Sequence, residues 1–523
     1  MTENKIINQL DELINIGTAI SAEKNQSKLL QDILDGAINI TGADGGTLYL
    51  IDDQHIKMEI VHSKTLNMSL GGTSKQPVNM PLIPLYLADG SPNYTNVASC
   101  AYHKNTAINI SNAYTDQTFD FSGTKKFDQI NDYRSQSFLA VPMINHENDT
   151  IGVLQLINAI DQSSGTIISF DSVSLRFTKA LASLAAIVLT KQQLINDLES
   201  MFESLIQLIA TAIDEKSPYT GDHCRRVPEL TLLIAKAAHQ TQEGYLKDFT
   251  MSKKDVYELK IAGWLHDCGK ITTPEYIIDK STKLETIFDR IELITTRFEV
   301  LKRDAEIKML KQIRLSPDQA SIIEQAYKAT IAQIEANLEL IKQSNAGGEF
   351  MHEEAQQKIT EISQGSWVSE NSPQPILSKN EVKNLTITHG TLTSEERERI
   401  NYHINATIAM LEKINFPKHL LNVPEYAGGH HEKMNGTGYP LGLKREEMSI
   451  QARAMAIADI FEALTAPNRP YKKAKKLSES IAILQKMKED NHIDPDLFDA
   501  FIKEKVYLDY AHTFLDKSQI DMS

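Results

Sequence analysis

Three observations predict a multidomain chain: an N-terminal α+β module, a long linker helix, and a C-terminal all-α domain with a helical-hairpin insertion. Strand and helix signals alternate over residues 1 to about 185. From about 172 to 215 no Gly or Pro interrupts the chain. Beyond that, apolar residues recur mostly at helical spacing. A chain of 523 residues is too long for one core; it fits two or three domains of roughly 100–200 residues each.

In the first segment, "TLYLID" (47–52) and "IKMEIVH" (56–62) read as two strands joined by a polar turn. "SFLAVPMI" (137–144) and "TIGVLQLINA" (150–159) repeat the arrangement, with "NHEND" as the turn. Helical patterns at about 5–40 and 171–190 flank them, which predicts a mixed sheet with helices at both ends of the segment. The domain boundaries follow: 1–190 for this module, 191–214 for the linker helix and 215–510 for the C-terminal domain.

Along the linker, Ile187, Lys191, Leu194, Leu198, Met201, Leu205, Leu208 and Ala212 are spaced alternately four and three residues apart. Such a seam belongs either to a parallel coiled coil between two protomers or to one amphipathic helix packed on its own domain. The first alternative makes the protein a homodimer.

Residues 215–285 and 390–510 read as mostly helical. Between them, at about 286–390, lies an insertion with two apolar stripes. Ile287, Ile291, Ile294, Phe298 and Leu301 form one; Ile323, Tyr327, Ile331, Ile334, Leu338 and Ile341 form the other. Ser316-Pro317 between them suits an N-cap followed by Pro at the first helical position, so the reading is an antiparallel hairpin. "QSNAGGEF" (343–350) and "SQGSWVSENSPQPILS" (363–378) read as polar loops.

The net charge of −15 argues against broad binding of duplex nucleic acid. Three cysteines, Cys100, Cys224 and Cys268, make no disulfide framework and suit a reducing compartment. No signal peptide is read at the N-terminus, and no run of about 18 apolar residues suggests a membrane span. The expected location is the cytoplasm, with no membrane partner.

The chemistry concentrates in C-terminal histidines and aspartates. "GDHCRRV" supplies His223, "AGWLHDCGK" His266 and Asp267, "ERINYHINATIAML" His403, "AGGHHEKMNGTGYP" His430 and His431, and "MAIADIFEAL" Asp459. Adjacent histidines are rare in a packed core, because each ring nitrogen left without a partner costs roughly 1–3 kcal/mol. A buried aspartate is costly unless it is paired or bound to metal. Imidazole with carboxylate suits Mn, Fe, Zn or Ni. One carboxylate can bridge two cations about 3.5–4 Å apart, the spacing that grips a phosphoryl oxygen.

The segments "HDCGK" (266–270), "LTSEERERINYHINATIAML" (392–411), "HHEKMNGTGYPLGL" (430–443) and "ARAMAIADIFEALTAPNRPYKKA" (452–474), taken in order, resemble the HD-GYP family of the HD phosphohydrolase superfamily. The resemblance covers about 215–285 and 390–505. It implies an all-α fold and a phosphodiesterase that cleaves cyclic dinucleotides, chiefly cyclic di-GMP, to a linear dinucleotide and/or GMP. Two divalent metal ions, or three, would serve it, iron or manganese foremost. The same resemblance makes His223, His266, Asp267, His403, His430, His431 and Asp459 the metal ligands, with Asp267 bridging. Lys270 would steady a phosphate or the nucleophile; otherwise it is a solvated helix-end charge. Arg469 and Lys472 would hold substrate phosphates, and Gly436, Gly438, Tyr439 and Pro440 form the GYP loop. Asn435 and Glu462 stand where the family commonly has Asp. "TAPNRPY" is one residue longer than usual, and Tyr219 replaces a carboxylate found in some three-metal members. Two metals are therefore favoured. The alternatives are a preference for 3′,3′-cyclic GMP-AMP, or a weakly catalytic cyclic-dinucleotide sensor.

The N-terminal segment resembles a GAF domain through "GADGGTLYLID", "SFLAVPMINHENDTIGVLQLINA" and the closing helix, over about 10–190. The resemblance implies a regulatory module with an unidentified small-molecule ligand, or one that only dimerises.

Overall fold

The computed structural model describes residues 11, 13–19, 25–216, 222–347, 350–369, 372–466 and 474–522. The chain divides into two compact units, Met1–Met201 and Phe202–Ser523.

In the first unit, α1 (Gln26–Thr41) starts behind Asn25, whose side chain accepts the Lys28 N–H, and stops on Gly42 in the left-handed region. Then follow β1 (Ala43–Asp52), β2 (His55–Ser63), β3 (Met68–Gly71), β4 (Ile83–Pro84), α2 (Val97–Lys104), β5 (Ile108–Ile110), α3 (Ser122–Asn131), β6 (Phe138–Ile144), β7 (Thr150–Ile160) and β8 (Ile167–Ile168). The sheet order is β3-β2-β1-β7-β6-β5, with β4 on β2 and β8 on β7. The two strand pairs read from the sequence are β1–β2 and β6–β7, and β1 joins them by pairing with β7. Every strand pairing among the described residues of this sheet is antiparallel, which corrects the expectation of a mixed sheet. Short turns return the chain antiparallel, whereas a parallel pair needs a long crossover, and alternating signals alone do not reveal which way a long return runs. Successive residues of β1 face opposite layers. Leu48 packs with Leu34, Ala37 and Leu181, and Tyr49 with Val97, Ala98 and Ala101.

One helix, α4 (Ser172–Asp214), covers the stretch free of Gly and Pro. An 18-residue window of it has mean hydropathy 1.5 and is 39% buried. By length and composition it is apolar enough to cross a membrane, against the expectation of no such segment. Leu181, Ala182, Ala185, Ala186 and Leu189 of α4 belong to the core of the first unit, which accounts for part of that apolar character. Further on, every residue from Gln193 to Met201 is exposed.

The second unit contains α5 (His223–Gln240), α6 (Lys253–Leu265), a 3-10 turn (Cys268–Thr272) and α7 (Glu275–Ile278). The insertion comprises α8 (Ile291–Leu315), α9 (Ala320–Asn345), α10 (Glu353–Ser363), β9 (Ser366–Ser369), β10 (Ser372–Pro375) and α11 (Lys379–Leu385). After it come α12 (Ser394–Leu411), α13 (Val423–Gly428), α14 (Ile450–Thr465), α15 (Leu477–Glu489), α16 (Pro495–Lys503) and α17 (Val506–Phe514). One core gathers α5, α6, α13, α14, α16 and α17 around Val227, Leu259, Ala427, Ile457, Phe498 and Tyr510, and takes in Ile206, Ala210 and Ile213 from the end of α4.

The insertion has its own core, with Ile294 and Phe298 of α8 against Leu338 and Ile341 of α9. Two details differ from the sequence reading. Ile287 precedes α8 and is 95% exposed, so the first stripe starts at Ile291. Ser316 makes no capping bond, although Pro317 does take the first position of the short 3-10 turn that follows. Within 363–378, β9 and β10 pair as an antiparallel hairpin rather than a loop.

Candidate metal centre

The helices that carry the predicted ligands have strong local start signals. Ser252 and Asp255 form a capping box at α6, and Thr393 and Glu396 form one at α12. Each box satisfies two N–H groups left open by the first turn. Helix α6 then runs through the buried "IAGWL" and delivers His266 and Asp267 at its end. Helix α12 presents His403, and α14, capped by Ser449, presents Asp459. The short α13 ends on Gly429, so His430 and His431 leave its C-terminus together. His223 is the first residue of α5.

These residues converge. His223 Nε2 lies 3.1 Å from Asp267 Oδ2 and 3.4 Å from Asp459 Oδ1. His266 Nε2 is 3.1 Å from Asp267 Oδ2 and 3.3 Å from His223 Nε2. On the other side of the same carboxylate, His403 Nε2 is 3.3 Å from Asp267 Oδ1. The His430 ring lies 4.9 Å from that of His266 and 4.3 Å from that of His431. Two sets of ligand atoms result, His223 with His266 and Asp267, and His403 with His430 and His431, each within 4.8 Å of one another. Asp267 faces both sides, the position that the sequence reading gave to a bridge.

Four of the rings have their outer nitrogen tied. Nδ1 pairs with Gly263 O for His266 at 2.7 Å, Ile400 O for His403 at 2.5 Å and Ala427 O for His430 at 2.6 Å. A carbonyl only accepts, so these three Nδ1 atoms carry the proton and their Nε2 atoms present lone pairs inward. His223 Nδ1 pairs with Glu462 Oε2 at 2.6 Å. Part of the inward surface is then acceptor facing acceptor. Asp267 Oδ1, His403 Nε2 and His430 Nε2 are buried without a hydrogen-bond partner. Such a cluster is unfavourable unless a cation sits within it, so the residues present fit a metal site.

The charges of His430 and His431 agree with that fit. Burial, aided by His431 and His266, holds the His430 pKa well below its ordinary value. Burial brings that of His431 down to about 4. Both are neutral at pH 7, the form that binds metal. Burial also opposes charge on His223, but the carboxylates of Glu462 and Asp267 outweigh it and push its pKa up to about 10. Burial works against ionised Asp267 too, yet Lys270 and the surrounding histidines keep its pKa well below the usual carboxylate range.

Lys270 Nζ sits 2.5 Å from Asp267 Oδ2, so it is an interior counter-charge rather than a solvated helix end. The GYP loop lies beside the centre. The Tyr439 ring stacks on His431 at 4.9 Å. At Gly438 a Cβ would come within 2.4 Å of Lys433 N, so only glycine lets the loop pass there. His430, His431, Tyr439 and Asp459 line a cavity of about 340 Å³ together with Lys433 and Lys475. Arg469, Lys472 and Tyr219 lie outside the described residues.

Four further groups build the site, and sequence reasoning missed their roles. Glu462, noted only as a departure, anchors His223 Nδ1 and accepts from Arg226 Nε at 2.8 Å. Its one legible signal is its position three residues after Asp459, on the same face of α14. Thr407, one turn after His403, accepts the Gly269 N–H at 2.9 Å and donates to His266 O at 3.2 Å. That contact needs Gly269, since a Cβ there would come within 2.0 Å of His403 O. Glu432 accepts the backbone N–H groups of Leu441, Gly442 and Leu443 and so pins the GYP loop. Asn435 keeps the turn: its Oδ1 accepts from Thr437 N, and its Nδ2 donates to Asp490 O, which an aspartate cannot do.

Comparison with known proteins assigns both units. Residues 25–189 match the GAF domain family and residues 379–497 match the HD domain family. The chain therefore carries a GAF domain followed by an HD domain. The HD match includes His403, His430, His431 and Asp459; His223, His266 and Asp267 precede it, on the far side of the insertion. Among curated proteins, a "Probable cyclic di-GMP phosphodiesterase" of Vibrio cholerae is 37% identical over 26% of this chain and 31% of its own length. A "3'3'-cGAMP-specific phosphodiesterase 3" of the same organism is 38% identical over 25% of this chain and 27% of its own. A "Cyclic di-GMP phosphodiesterase" of Thermotoga maritima is 36% identical over 23% and 32%. The matched region thus spans less than a third of the length of these relatives.

Proposed function

We propose that this chain is a metal-dependent phosphodiesterase that hydrolyses cyclic dinucleotides, chiefly cyclic di-GMP, under control of its GAF domain. The observation that carries the reading is the trio Asp267 Oδ1, His403 Nε2 and His430 Nε2, buried acceptors that face one another with no donor between them. His223, His266 and Asp267 would hold one divalent ion and His403, His430 and His431 a second, with Asp267 facing both sets and Asp459 beside them. A mixed nitrogen and oxygen set suits iron or manganese.

Divalent ions held there would supply an ionised water and polarise the phosphodiester. Around them, His430 and His431 present neutral nitrogens, and Lys270 offsets the carboxylate charge while reaching toward a substrate phosphate. Gly436, Gly438, Tyr439 and Pro440 form the wall against which the dinucleotide lies. Arg469 and Lys472 would hold its phosphates, Arg through bidentate contact. Water adds to phosphorus, the P–O3′ bond breaks, and the 3′-oxygen takes a proton. The product is a linear dinucleotide; a second cut gives GMP.

A preference for 3′,3′-cyclic GMP-AMP is the second reading, favoured by the relative named for that substrate. An anaerobic assay of purified, metal-analysed protein against a panel of cyclic dinucleotides decides between them. The expected result is stoichiometric iron or manganese with fastest turnover of cyclic di-GMP. Binding without any product from a metal-loaded protein overturns the enzyme.

The protein acts as a cytoplasmic homodimer joined along α4. Leu194, Leu198, Met201, Leu205 and Leu208, each half-exposed or more, support that seam, and free cysteines suit the compartment. Light scattering should give a dimer mass that Leu198→Asp with Leu205→Asp lowers. A wild-type monomer at tens of micromolar, roughly where modest interfaces associate, rules the dimer out.

A further inference from the structure

The last turn of α4 touches two segments that carry metal-site residues. Asp214, its final residue, accepts the backbone N–H of Cys224 through both oxygens, at 3.4 and 3.2 Å. Cys224 follows His223 in the first turn of α5. The residue that should cap that turn, Asp222, makes no side-chain capping bond. Asp214 therefore supplies from another helix the acceptor that the N-terminus of α5 lacks, with its negative charge at the favourable end of the helix dipole.

Lys216, just beyond α4, donates to the carbonyls of Lys270 at 3.2 Å and Ile271 at 2.5 Å. Those carbonyls belong to the 3-10 turn that follows Asp267 and contains Lys270. One end of one helix thus grips the segment bearing His223 and the segment bearing Asp267 and Lys270. The two segments meet at the 3.1 Å approach of His223 Nε2 to Asp267 Oδ2.

We propose that Asp214 and Lys216 are positioning residues that couple α4 to the metal centre, setting the spacing of His223 against Asp267 and of Lys270 against both. The proposal rests on the reading of His223 and Asp267 as metal ligands and adds how that site is regulated. The end of α4 is held firmly, because Ile206, Ala210 and Ile213 lie in the core of this unit. A helix displacement reaches the latch instead of dissipating in side-chain motion. Metal–ligand distances hold to about 0.2 Å, so a small shift of the latch changes metal affinity.

The test reads metal occupancy, not turnover alone. Full-length protein stripped of metal is titrated with Mn²⁺ and bound metal is measured directly, for wild type, Asp214→Ala, Asp214→Asn, Lys216→Met and Lys216→Arg. Asp214→Ala should raise the Mn²⁺ concentration for half-occupancy roughly ten-fold, the size seen for outer-shell partners of metal ligands. Asp214→Asn should recover most of this, because its Oδ1 still accepts the Cys224 N–H. Lys216→Met should give a smaller loss that Lys216→Arg reverses. Wild-type Mn²⁺ affinity in both Asp214→Ala and Lys216→Met overturns the proposal. So does a loss that Asn and Arg fail to rescue, or one that follows the unfolded fraction measured by circular dichroism. If Asp214→Ala does not fold, the Lys216 pair decides. Asp267→Ala is the control for the underlying reading. Metal retained there sinks the ligand assignment itself, whereas metal lost there and kept in the latch variants sinks only the latch.

Discussion

Lys270 and Lys283 lie on the same stretch of chain between α6 and α8, and their ammonium groups meet opposite surroundings. Lys270 Nζ rests on Asp267. Burial opposes its charge, but Asp267 and Asp459 outweigh that and raise its pKa. Lys283 is 2% exposed, and its hydrogen-bond partners among the described residues are the carbonyls of Leu385 and Ile387 and the sulfur of Met351. Burial brings its pKa down to about 8. The contrast extends to the regions around them. In and around the insertion, Lys280 pairs with Glu396 and Asn384, Arg297 with Glu381, and Asn345 with Asp289. Among the described residues, no buried side-chain atom of 279–390 lacks a hydrogen-bond partner, whereas the metal centre holds three. A self-satisfied polar network stabilises its own fold. A cluster of unmatched acceptors is stable only with something bound, and that difference marks where the chemistry lies.

The largest break of this contrast is Asp267→Ala. No neighbour replaces a carboxylate that faces both ligand sets, so the variant should lose at least one metal and all hydrolysis. Elemental analysis with the dinucleotide assay checks it, and a fully metallated, active variant contradicts the bridge. Next is Glu462→Gln. It keeps the shape but removes the charge that holds His223 and Arg226, and should lower metal affinity roughly 10–100-fold, read by Mn²⁺ titration.

Lys283→Met sharpens the other side. The folded pKa of about 8 lies below the ordinary 10.5. Between these values the unfolded chain binds more protons than the native one, so this group makes native stability rise with pH across that window. Urea midpoints at pH 7.5 and 9.5 should climb in wild type relative to Lys283→Met; equal slopes refute the assignment. The smallest effect on the centre is expected from replacing 286–385 with a Gly/Ser linker. No proposed ligand is removed, so metal content should stay at the wild-type value. Turnover, substrate choice or mass change only if the hairpin gates or docks something; loss of metal shows that the two regions are not separable.

The residues proposed as ligands were legible in the sequence because His and Asp in buried helical contexts need a partner, and the structure brings them together. The roles of Glu462 and Thr407 were not, since their meaning lies in which ring nitrogen or backbone group each contacts across the fold. Asn435 looked like a loss in the sequence, and only the turn geometry gives its amide a use. The sheet was read as strand pairs, but the direction of the β1–β7 pairing depends on a return of about a hundred residues, which local patterns do not encode. Pro373 and Pro375 made β10 look like a loop; a two-stranded hairpin is all edge, where proline is tolerated.

Between Gln193 and Met201, α4 keeps its hydrogen bonds with no second layer over them among the described residues. A bare helical turn opens locally at a lower free-energy cost than a packed one, while amides in a packed core exchange only with wide unfolding. Deuterium uptake along this one helix should therefore be fast in its middle and slow at Leu181–Ala186 and Ile206–Ile213. Fast uptake that slows as protein concentration rises marks a stretch whose order is supplied by another molecule. A chain built this way has a point of adjustable stiffness, where a change in local helix stability alters how much of a distant motion is passed along.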